Sequence, residues 1–508
     1  MSKATTPSFI LELPLKVSPS QEKILASRLE AARQLYNACL GEALRRLSLL
    51  KESKDFRKVL ELPKGKEKTE AFKALNEKHG FSEYSLHSFA VATKNSCFIG
   101  NHLDTHTTQK VATRAFKAVK EYSFKKRGKP RFKGKGQFDS VESKTNKSGI
   151  RFREGEILWS GLELPCIFDP KDKHGVEAHG LSCKTKYVRI VRRRIKGKNL
   201  FYAQLVQEGL PKQKAKNLIR DDTVSLDIGP STVAIFTGNH AELKQFCEEL
   251  VPMNKRIRML QRKLDRQRRA NNPENYNEDG TIRGGKKLFW NSFNRYLETR
   301  AEISELFRRQ AEYRKSLHGR LINRILAHGK HIKTEKLSFR AFQKMYGKSI
   351  GFRAPGMFMS LLARKAESAG GGVEELNTRK LKLSQTCHCG SIIKKPLSQR
   401  WHVCECGVKA QRDLYSAFLG YHVKEDILDT SMAAMSWEGV EPLLQQAVSR
   451  LIQSANEGMI YPQSFGLSRR QSGSPVKTDG VKTKAQDVVA RKSESLGEGR
   501  TDIRTPRF

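Results

Sequence analysis

The chain has 508 residues, of which 38% are hydrophobic and 29% charged, and 95 Lys and Arg against 53 Asp and Glu give a net charge of +42. This length predicts several domains, and so large a cationic excess favours a polyanionic partner. Because the basic residues alternate with aromatic residues and glycines, and do not line one amphipathic helix, nucleic acid is favoured over a membrane surface. A ribosomal-type or membrane-surface protein is the alternative interpretation.

The remaining composition excludes other classes of protein. Nine cysteines in a chain of this length do not indicate a disulfide scaffold. No apolar run approaches the roughly 20 residues that span a membrane, and residues 1–15 lack the core of a signal peptide. We therefore expect a cytoplasmic protein in a reducing compartment, with no membrane partner.

The N-terminal part reads as a strand followed by helices. Residues 9–15 predict a short strand. Ser18 is placed to cap a helix, with Pro19 at the first helical position and Gln21 three residues after the cap. Apolar residues then recur at helical spacing. The sequence predicts a first strand within 1–17 and a helical lobe over 18–125.

A basic loop follows the helical lobe. Over residues 125–136, glycine and proline interrupt the helical pattern and cations surround Phe132. Such a loop can bring cations and a stacking ring to a phosphate backbone, and a solvated linker is the alternative. Strand-like segments at 149–158, 187–195 and 200–207 predict a small β-barrel over 126–220. The candidate nucleic-acid contacts here are Lys129, Arg131, Phe132, Lys133, Arg192, Arg193 and Arg194.

Two strand-like runs in the next segment each carry an acid. Residues 223–227 end in Asp227, and residues 231–236 can return beside them as a hairpin of the kind that opens an RNase H-like sheet. Residues 331–337 carry Glu335. Between them, residues 253–328 are basic and helical, and Arg262 and Arg266 are candidate nucleic-acid contacts. A solvated helical hairpin is the alternative for that segment.

Four cysteines in residues 381–408 are spaced as metal ligands would be. They are Cys387, Cys389, Cys404 and Cys406, which form two C-x-C pairs separated by 14 residues. A structural zinc site prefers four tetrahedral ligands, most often thiolates. Each pair is one residue shorter than the usual C-x₂-C, and His388 or His402 could replace a cysteine. We predict a structural Zn²⁺, with a degenerate knuckle that holds no metal as the alternative.

A third acid, Asp413, follows the last cysteine by seven residues, at the start of a helical pattern. Hydrolysis of a phosphodiester is assisted by two divalent ions about 4 Å apart, and Mg²⁺ prefers carboxylate ligands. We therefore predict one nuclease centre in which Asp227 bridges two Mg²⁺ ions while Glu335 and Asp413 each complete one site. A single acid would be a weak signal, and the order Asp, Glu, cysteine knuckle, Asp strengthens it. Arg412 is a further candidate nucleic-acid contact.

Several motifs resemble the TnpB family, which are transposon-encoded, RNA-guided DNA endonucleases related to the type V CRISPR effectors. The residues are 226–229, 334–337, 383–387 and 412–417, together with 32–37 in the first helix and 128–133 in the basic loop. The resemblance covers about residues 9–422. The chain departs from the family at the shortened cysteine pairs and at Ser416, where Asn is common.

The resemblance implies an α/β multidomain protein. It implies an RNase H-like (RuvC) nuclease domain with an inserted zinc-ribbon-like knuckle, a helical recognition lobe and a β-barrel wedge domain. The expected domains are a first wedge strand (1–17), the recognition lobe (18–125), the wedge (126–220), the nuclease (221–380, with the basic helical segment 253–328), the target-nucleic-acid-binding knuckle (381–408), a final nuclease segment with C-terminal helices (409–454) and a basic tail (455–508). The tail has too few large apolar residues to offset its ordering entropy, so we expect disorder there.

The resemblance also implies a function. We expect an RNA-guided DNA endonuclease that binds a transposon-derived guide RNA, reads a short target-adjacent motif in double-stranded DNA and cuts by two-metal hydrolysis. Base pairing with the guide would select the sequence. The alternatives are a compact type V CRISPR effector with the same chemistry, a guided DNA-binding repressor that does not cut, and a cut-and-paste transposase. The expected location is the prokaryotic cytoplasm, at the nucleoid when target DNA is bound.

Overall fold

The computed structural model describes residues 6–285, 288–396 and 398–467. The chain divides into two compact units, one up to Lys214 and one from Ala215. Each unit has its own buried apolar core. Within the described ranges, the helices are all too short or too polar to cross a membrane.

The first unit combines a helical bundle with two antiparallel sheets. Its elements are β1 (Ser8–Pro14), α1 (Pro19–Glu52), α2 (Lys54–Glu61), α3 (Lys66–Lys78), α4 (Glu83–Asn95), α5 (Thr105–Ser123), β2 (Ser140–Glu142), β3 (Arg151–Arg153), β4 (Glu156–Trp159), β5 (Leu162–Pro165), α6 (Val176–Ser182), β6 (Thr185–Ile195) and β7 (Lys198–Glu208). One sheet has the order β1-β7-β6-β2 and the other β3-β4-β5. An isolated bridge between Leu15 and Cys166 joins the end of β1 to the end of β5.

The start of α1 shows how local sequence determines structure. The Ser18 hydroxyl accepts a hydrogen bond from the amide of Gln21, and the Gln21 side chain accepts one from the amide of Ser18. Pro19 occupies the first helical position, where its missing N–H has no helical partner to lose. The capping box predicted from these three residues is present.

A tryptophan joins the helices of the first unit to its smaller sheet. Trp159 is buried, and its indole N–H donates to a carboxylate oxygen of Asp104 at 2.9 Å. Asp104 also caps α5 by accepting from the amide of Thr107. The Arg28 guanidinium lies 4.6 Å from the centre of the indole and donates to the Trp159 carbonyl. These contacts satisfy polar groups that would otherwise destabilise a shared core.

The second unit is built on a mixed five-stranded sheet. Its strands are β8 (Thr223–Ile228), β9 (Thr232–Thr237), β10 (His240–Gln245), β11 (His331–Glu335) and β12 (Gly372–Leu376), in the order β10-β9-β8-β11-β12. The first three strands along the chain are antiparallel, whereas β11 runs parallel to both β8 and β12. The sequence-based expectation of a hairpin at the start of this sheet omits its third strand, β10.

The remaining elements of the second unit are helices and two short hairpins. They are α7 (Val251–Asn271), α8 (Asn294–Leu326), α9 (Phe339–Arg353), α10 (Pro355–Ser368), α11 (Thr378–Leu381), β13 (Trp401–Val403), β14 (Lys409–Gln411), α12 (Arg412–Tyr421), β15 (Val423–Lys424), β16 (Ile427–Leu428) and α13 (Thr430–Asn456). The hairpins pair β13 with β14 and β15 with β16.

The two faces of the sheet have different roles. Because side chains alternate along a strand, Val224, Leu226 and Ile228 share one face of β8, where they belong to a core that also contains residues of α8 and α10. Asp227 lies on the other face, which α12 covers. A Cβ atom at Gly420 of α12 would lie 2.6 Å from the Ser225 hydroxyl. Only glycine allows the helix to lie so close to β8.

The predicted C-terminal tail begins too early. Helix α13 continues to Asn456, and Tyr461, Phe465 and Leu467 are buried in the core that contains α12 and α13. These three large apolar side chains lie within a short segment, so an average over residues 455–508 hides them. The remaining residues of the predicted tail, 468–508, lie outside the described residues.

Candidate active site and metal centre

Two of the predicted acids lie on neighbouring parallel strands. Asp227 is near the end of β8, and Glu335 is the last residue of β11. Thr334 of β11 is in register with Leu226 of β8, so the next residue along each strand is an acid. In-register residues of neighbouring strands share a face of the sheet. Asp227 and Glu335 therefore lie side by side on the face that α12 covers.

The third acid is presented by the first turn of α12. Asp413 is buried, and one carboxylate oxygen accepts a hydrogen bond from the Thr232 hydroxyl at 3.2 Å. The other oxygen accepts from Nε and Nη2 of Arg412 at 3.3 and 3.2 Å. Gln411 caps the helix by accepting from the amide of Leu414 at 2.8 Å. A negative charge is also favoured at this end of the helix dipole.

The charges of the three acids affect one another. The pKa of Asp227 is raised well above its usual range, first by burial and then by the charges of Asp413 and Glu335, while Arg412 opposes the rise. Burial raises the pKa of Glu335 to about 7. Carboxylates in this position repel each other unless a proton or a cation is bound. Shifts of this kind are typical of functional sites.

The four cysteines form the second cluster. Their ligand atoms all lie within 4.8 Å of one another, and in the described part of the chain this is the one group of three or more His, Cys, Asp or Glu residues close enough to hold a single ion. The sulfurs of Cys387 and Cys406 are 3.5 Å apart, and those of Cys389 and Cys404 are 3.6 Å apart. Sulfurs arranged tetrahedrally around zinc, at about 2.3 Å from it, would be about 3.8 Å apart. The thiols are free, and four of them at this separation suit Zn²⁺.

The two cysteine pairs adopt the same turn, which explains how the shorter spacing brings the sulfurs together. The amide of Gly390 donates to the carbonyl of Cys387 at 3.0 Å, and the amide of Gly407 donates to the carbonyl of Cys404 at 3.1 Å. Both glycines have a left-handed backbone, with φ of +87° and +95°, which a side chain would disfavour. Each C-x-C-G sequence is therefore a compact turn that directs both of its sulfurs to one point.

The two neighbouring histidines are not in the ligand group. His402 is fully buried, packs against Tyr415 with ring centres 4.4 Å apart and the rings tilted by 31°, and contacts the Lys395 amine through Nδ1. His388 Nδ1 lies 3.0 Å from the Tyr415 hydroxyl. The ligand set in this structure is thus the four cysteines, and the histidines pack around it.

The basic loop of the first unit has a fixed backbone and exposed side chains. The Lys133 amide donates to the Asn37 side chain, and its carbonyl accepts from the Arg33 guanidinium, each at 2.8 Å. Both clamping residues belong to α1. Phe132 is 60% exposed, and Lys129, Arg131 and Lys133 are exposed as well. The loop therefore offers a ring and three cations to a partner.

The other predicted nucleic-acid contacts have unequal surroundings. Arg192 is paired with Asp139 at 2.7 Å, and Arg193 is paired with Glu12 through two bonds. Arg194 is exposed near the end of β6. Two members of the predicted arginine cluster are thus engaged inside the first unit.

In the second unit, the predicted contacts also differ. Arg262 and Arg266 are exposed on α7. Arg412 belongs to the acid site, because it holds Asp413 and donates to the Gln399 carbonyl at 2.9 Å.

Comparison with known proteins gives one match to a family model. The model, described as Cas12f1-like, TNB domain, matches residues 356–419, which include the four cysteines and Asp413. No curated protein matches the chain.

Solved structures of low similarity also match. A cryo-EM structure of a Cas12f1-sgRNA-target DNA complex has 14% identity and a TM-score of 0.41, over 81% of this chain and 98% of that chain. A cryo-EM structure of a CRISPR-Cas12f ternary complex has 13% identity and a TM-score of 0.29, over 81% and 82%. These similarities lie below the level at which a shared activity follows.

Three residues near the acids are not among the predicted site residues. Thr232 contacts Asp413, and Lys333 of β11 donates to the carbonyls of Tyr421 and Val423 at 3.1 and 2.6 Å. Tyr415 contacts the first cysteine turn. Lys333 had a signal in the sequence, since it precedes Glu335 by two residues on a strand and must share its face. Thr232 had none, because its contact joins segments far apart in the chain. Tyr415 lies in the 412–417 motif, but the motif does not indicate its contact with the cysteine turn.

Proposed function

We propose that the chain is an RNA-guided DNA endonuclease with an RNase H-like (RuvC) nuclease domain. The observation that carries the proposal is the convergence of Asp227, Glu335 and Asp413 on one face of the five-stranded sheet. Three antiparallel strands followed by two parallel ones, in the order β10-β9-β8-β11-β12, are the arrangement expected of an RNase H-like sheet. The acids lie where such a sheet would carry its catalytic residues.

The three acids suit a pair of Mg²⁺ ions. Carboxylate oxygens are the hard ligands that Mg²⁺ prefers. Asp227 is the acid whose pKa responds to both of the others, so Asp227, Glu335 and Asp413 would hold such ions together. When bound, two such ions activate a water and stabilise the leaving oxygen of a phosphodiester. Arg412 and Thr232 hold Asp413 in place for this purpose.

Zn²⁺ in the cysteine cluster is part of the proposal. Four thiols and no histidine make up the ligand group, and thiolates favour zinc over harder cations. Its role here is structural, because all four ligand positions are filled by protein and no open position is left for a substrate. The knuckle would then form the target-nucleic-acid-binding part of residues 381–408.

Three observations support RNA guidance and DNA as the substrate. The net charge of +42 suits a large polyanionic complex. The sequence motifs resemble TnpB, and residues 356–419 match the Cas12f1-like TNB model. The basic loop, held by α1, offers Phe132 and three cations to a nucleic-acid backbone. We propose a guide RNA and a double-stranded DNA target as partners, with the helical lobe and a barrel-like wedge holding the RNA.

A compact type V CRISPR effector is the second candidate. The specific observation in its favour is the description of the matching family model as Cas12f1-like. The nuclease chemistry is the same in both candidates, and they differ in the origin of the guide. A guide that begins at a transposon end supports the first candidate, and a guide from a repeat array supports the second. The non-cutting repressor is disfavoured because all three acids are present.

The experiment that tests the proposal starts from the RNA that co-purifies with the protein. That RNA is sequenced, and the complex is given Mg²⁺ and a plasmid library that carries the matching target beside randomised flanking bases. We expect cleavage of a subset defined by a short flanking motif. Asp227→Ala and Glu335→Ala should bind the same targets without cutting them. Glu375→Gln, which changes an exposed acid on the neighbouring strand β12, is the matched control and should cut normally.

The outcomes are separable. Absence of a specific co-purifying RNA, or cleavage that is independent of it, would overturn RNA guidance. Specific binding with no cleavage by the unaltered protein would favour the repressor. Full cutting by either alanine variant would overturn the assignment of the acids.

A further inference from the structure

Helix α12 is held at both ends by contacts that the acids themselves do not make. It is ten residues long and carries Asp413 in its first turn. At its C-terminal end, the Lys333 amine donates to the carbonyls of Tyr421 and Val423. A cation at this end is favoured by the helix dipole and satisfies carbonyls that lack a helical partner. Lys333 and Glu335 are both on β11, so this contact fixes α12, which carries Asp413, to the strand that carries Glu335.

At the other end, Tyr415 fixes α12 to the first cysteine turn. Its side chain is buried, and its hydroxyl accepts from the amide of His388 at 3.0 Å. The same oxygen lies 3.3 Å from Cys387 Sγ and 3.0 Å from His388 Nδ1. The phenol has one proton to donate, and a thiolate that binds a metal is a hydrogen-bond acceptor, so metal binding favours the bond to sulfur.

These contacts close a ring that includes both sites. The second cysteine pair is joined to Asp413 through the chain itself, by way of the short strand β14. The first cysteine pair meets the same helix through the Tyr415 hydroxyl. A metal ion bound to all four sulfurs would join the two pairs. Loss of either the ion or the phenol hydroxyl would open the ring and remove one of the contacts that position the start of α12.

We propose that Tyr415 is a positioning residue that couples zinc binding at the four cysteines to divalent-cation binding at Asp227, Glu335 and Asp413. The inference rests on the proposed function for its catalytic meaning, since it concerns the acids assigned there to Mg²⁺. Zinc then has a role beyond stability: it sets the position of Asp413 through the hydrogen bonds of Tyr415. Lys333 supports the same helix from its other end, but does so independently of zinc.

The size of the effect follows from the size of the contact. Coupling between two binding sites is commonly about 1–3 kcal/mol, or about 5- to 150-fold in affinity. One phenol contact belongs at the lower end of that range. Linkage between two binding sites is reciprocal. Zinc bound at the knuckle should raise the affinity of the acids for a divalent cation, and a cation bound at the acids should raise the affinity for zinc by about the same factor.

The test measures Mn²⁺ binding to the purified full chain by electron paramagnetic resonance, with zinc content measured by elemental analysis on the same samples. Tyr415→Phe keeps the ring that packs against His402, Phe418 and Trp437 and removes the hydroxyl. In zinc-loaded protein, this variant should bind Mn²⁺ about fivefold more weakly than the unaltered chain. Tyr421→Phe removes a hydroxyl near Gly238 at the far end of the same helix and keeps the backbone carbonyl that Lys333 contacts, so it is the matched control and should bind normally.

A second arm separates coupling from loss of structure. Zinc is removed with a chelator, and the chelator is removed by dialysis before Mn²⁺ is added. Zinc removal should weaken Mn²⁺ binding about fivefold in the unaltered chain and less than twofold in Tyr415→Phe. Lys333→Met keeps an apolar stem of similar length, and it should weaken Mn²⁺ binding while the effect of zinc removal persists.

Two outcomes would overturn the inference. One is normal Mn²⁺ affinity in zinc-loaded Tyr415→Phe, and this comparison needs no zinc-free protein, so unfolding on chelation does not interfere with it. The other is an equal effect of zinc removal with and without the hydroxyl. Neither measurement uses guide RNA or cleavage. If the unaltered chain shows the coupling but never cuts guided DNA, the proposed function fails while the link between the two metal sites stands.

Discussion

The acid site and the cysteine cluster are assembled in opposite ways. The four cysteines lie within twenty residues of one another, in two repeated turns that depend on Gly390 and Gly407. The three acids come from two strands and a helix that are far apart in the chain, and they meet only when the sheet forms. Local turns bring the cysteines of each pair together, whereas the acids come together only when the second unit folds.

The two clusters also differ in how they affect the stability of the fold when no metal is bound. Asp227 has a raised pKa because neighbouring charges and burial disfavour its ionised form, so the acid site opposes folding when no cation is bound. The cysteine turns satisfy their own backbone groups through the bonds of Gly390 and Gly407. A bound cation would therefore remove an electrostatic cost at the acid site. At the cysteine cluster, a bound metal ion would add stability to the fold.

The sharpest test of this difference is Asp227→Asn. The substitution removes a ligand of the proposed ions and should lower guided cleavage by at least about a thousandfold, or about 4 kcal/mol in the transition state. In protein without divalent cations, it should raise the melting temperature, because the neutral amide replaces an acid that is buried beside two other acids. Cleavage rates and thermal unfolding in a chelating buffer measure the two effects. A lower melting temperature for the variant would show that the acids do not repel each other.

The corresponding change in the cysteine cluster is Cys404→Ser, and both of its effects should be losses. Cys404 is buried, and removal of one of four ligands should reduce bound zinc from one equivalent to nearly none. Stability should fall by about 4 kcal/mol, as is typical for loss of a structural metal. Cys97→Ser, at an exposed cysteine, is the control. Zinc below half an equivalent in the unaltered chain would mean that the knuckle is degenerate.

Truncation tests how far the core around the knuckle extends. A chain that ends at residue 467 should melt at the same temperature as the full chain. A chain that ends at residue 455 loses three buried apolar side chains and the hydrogen bond from Trp401 to the Gly466 carbonyl, and should lose about 3 kcal/mol. Equal melting temperatures for the two truncated chains would contradict the packing of residues 457–467.

The smallest expected effect is the pH dependence of Glu335, whose pKa is raised from 4.5 to about 7. Between these values the folded state keeps a proton that the unfolded state has lost, so stability without cations falls as pH rises. Relative to Glu335→Gln, the unaltered chain should lose up to about 1 kcal/mol per pH unit over this window. Mn²⁺ affinity should rise over the same window, because fewer protons compete for the site.

Denaturant unfolding and Mn²⁺ titration at pH 5, 6 and 7 measure these two trends. Glu375→Gln is the control, since it changes an exposed acid on the neighbouring strand. Parallel stability curves for the unaltered chain and Glu335→Gln would show that Glu335 has an ordinary pKa in the folded protein.

The sequence predicts features that depend on residues close together in the chain. Ser18, Pro19 and Gln21 form the expected helix start, because a cap involves residues one turn apart. Strand alternation and the spacing of the cysteines likewise marked the positions of the acids and of the metal ligands. The order Asp, Glu, cysteine knuckle, Asp predicted that Asp227, Glu335 and Asp413 belong to one centre, and the resemblance of short motifs implies the same.

Only the tertiary structure shows which segments that are far apart in the chain contact each other. The sequence does not show that Arg192 and Arg193 pair with acids of the first unit, or that Phe465 returns to a core. Nor does it show that Tyr415 meets the first cysteine turn. Periodicity tells which face a side chain occupies, whereas its partner depends on how the elements pack. The sequence by itself therefore identified the residues of both clusters, and the packing of α12 against the sheet and the knuckle decided that they are joined.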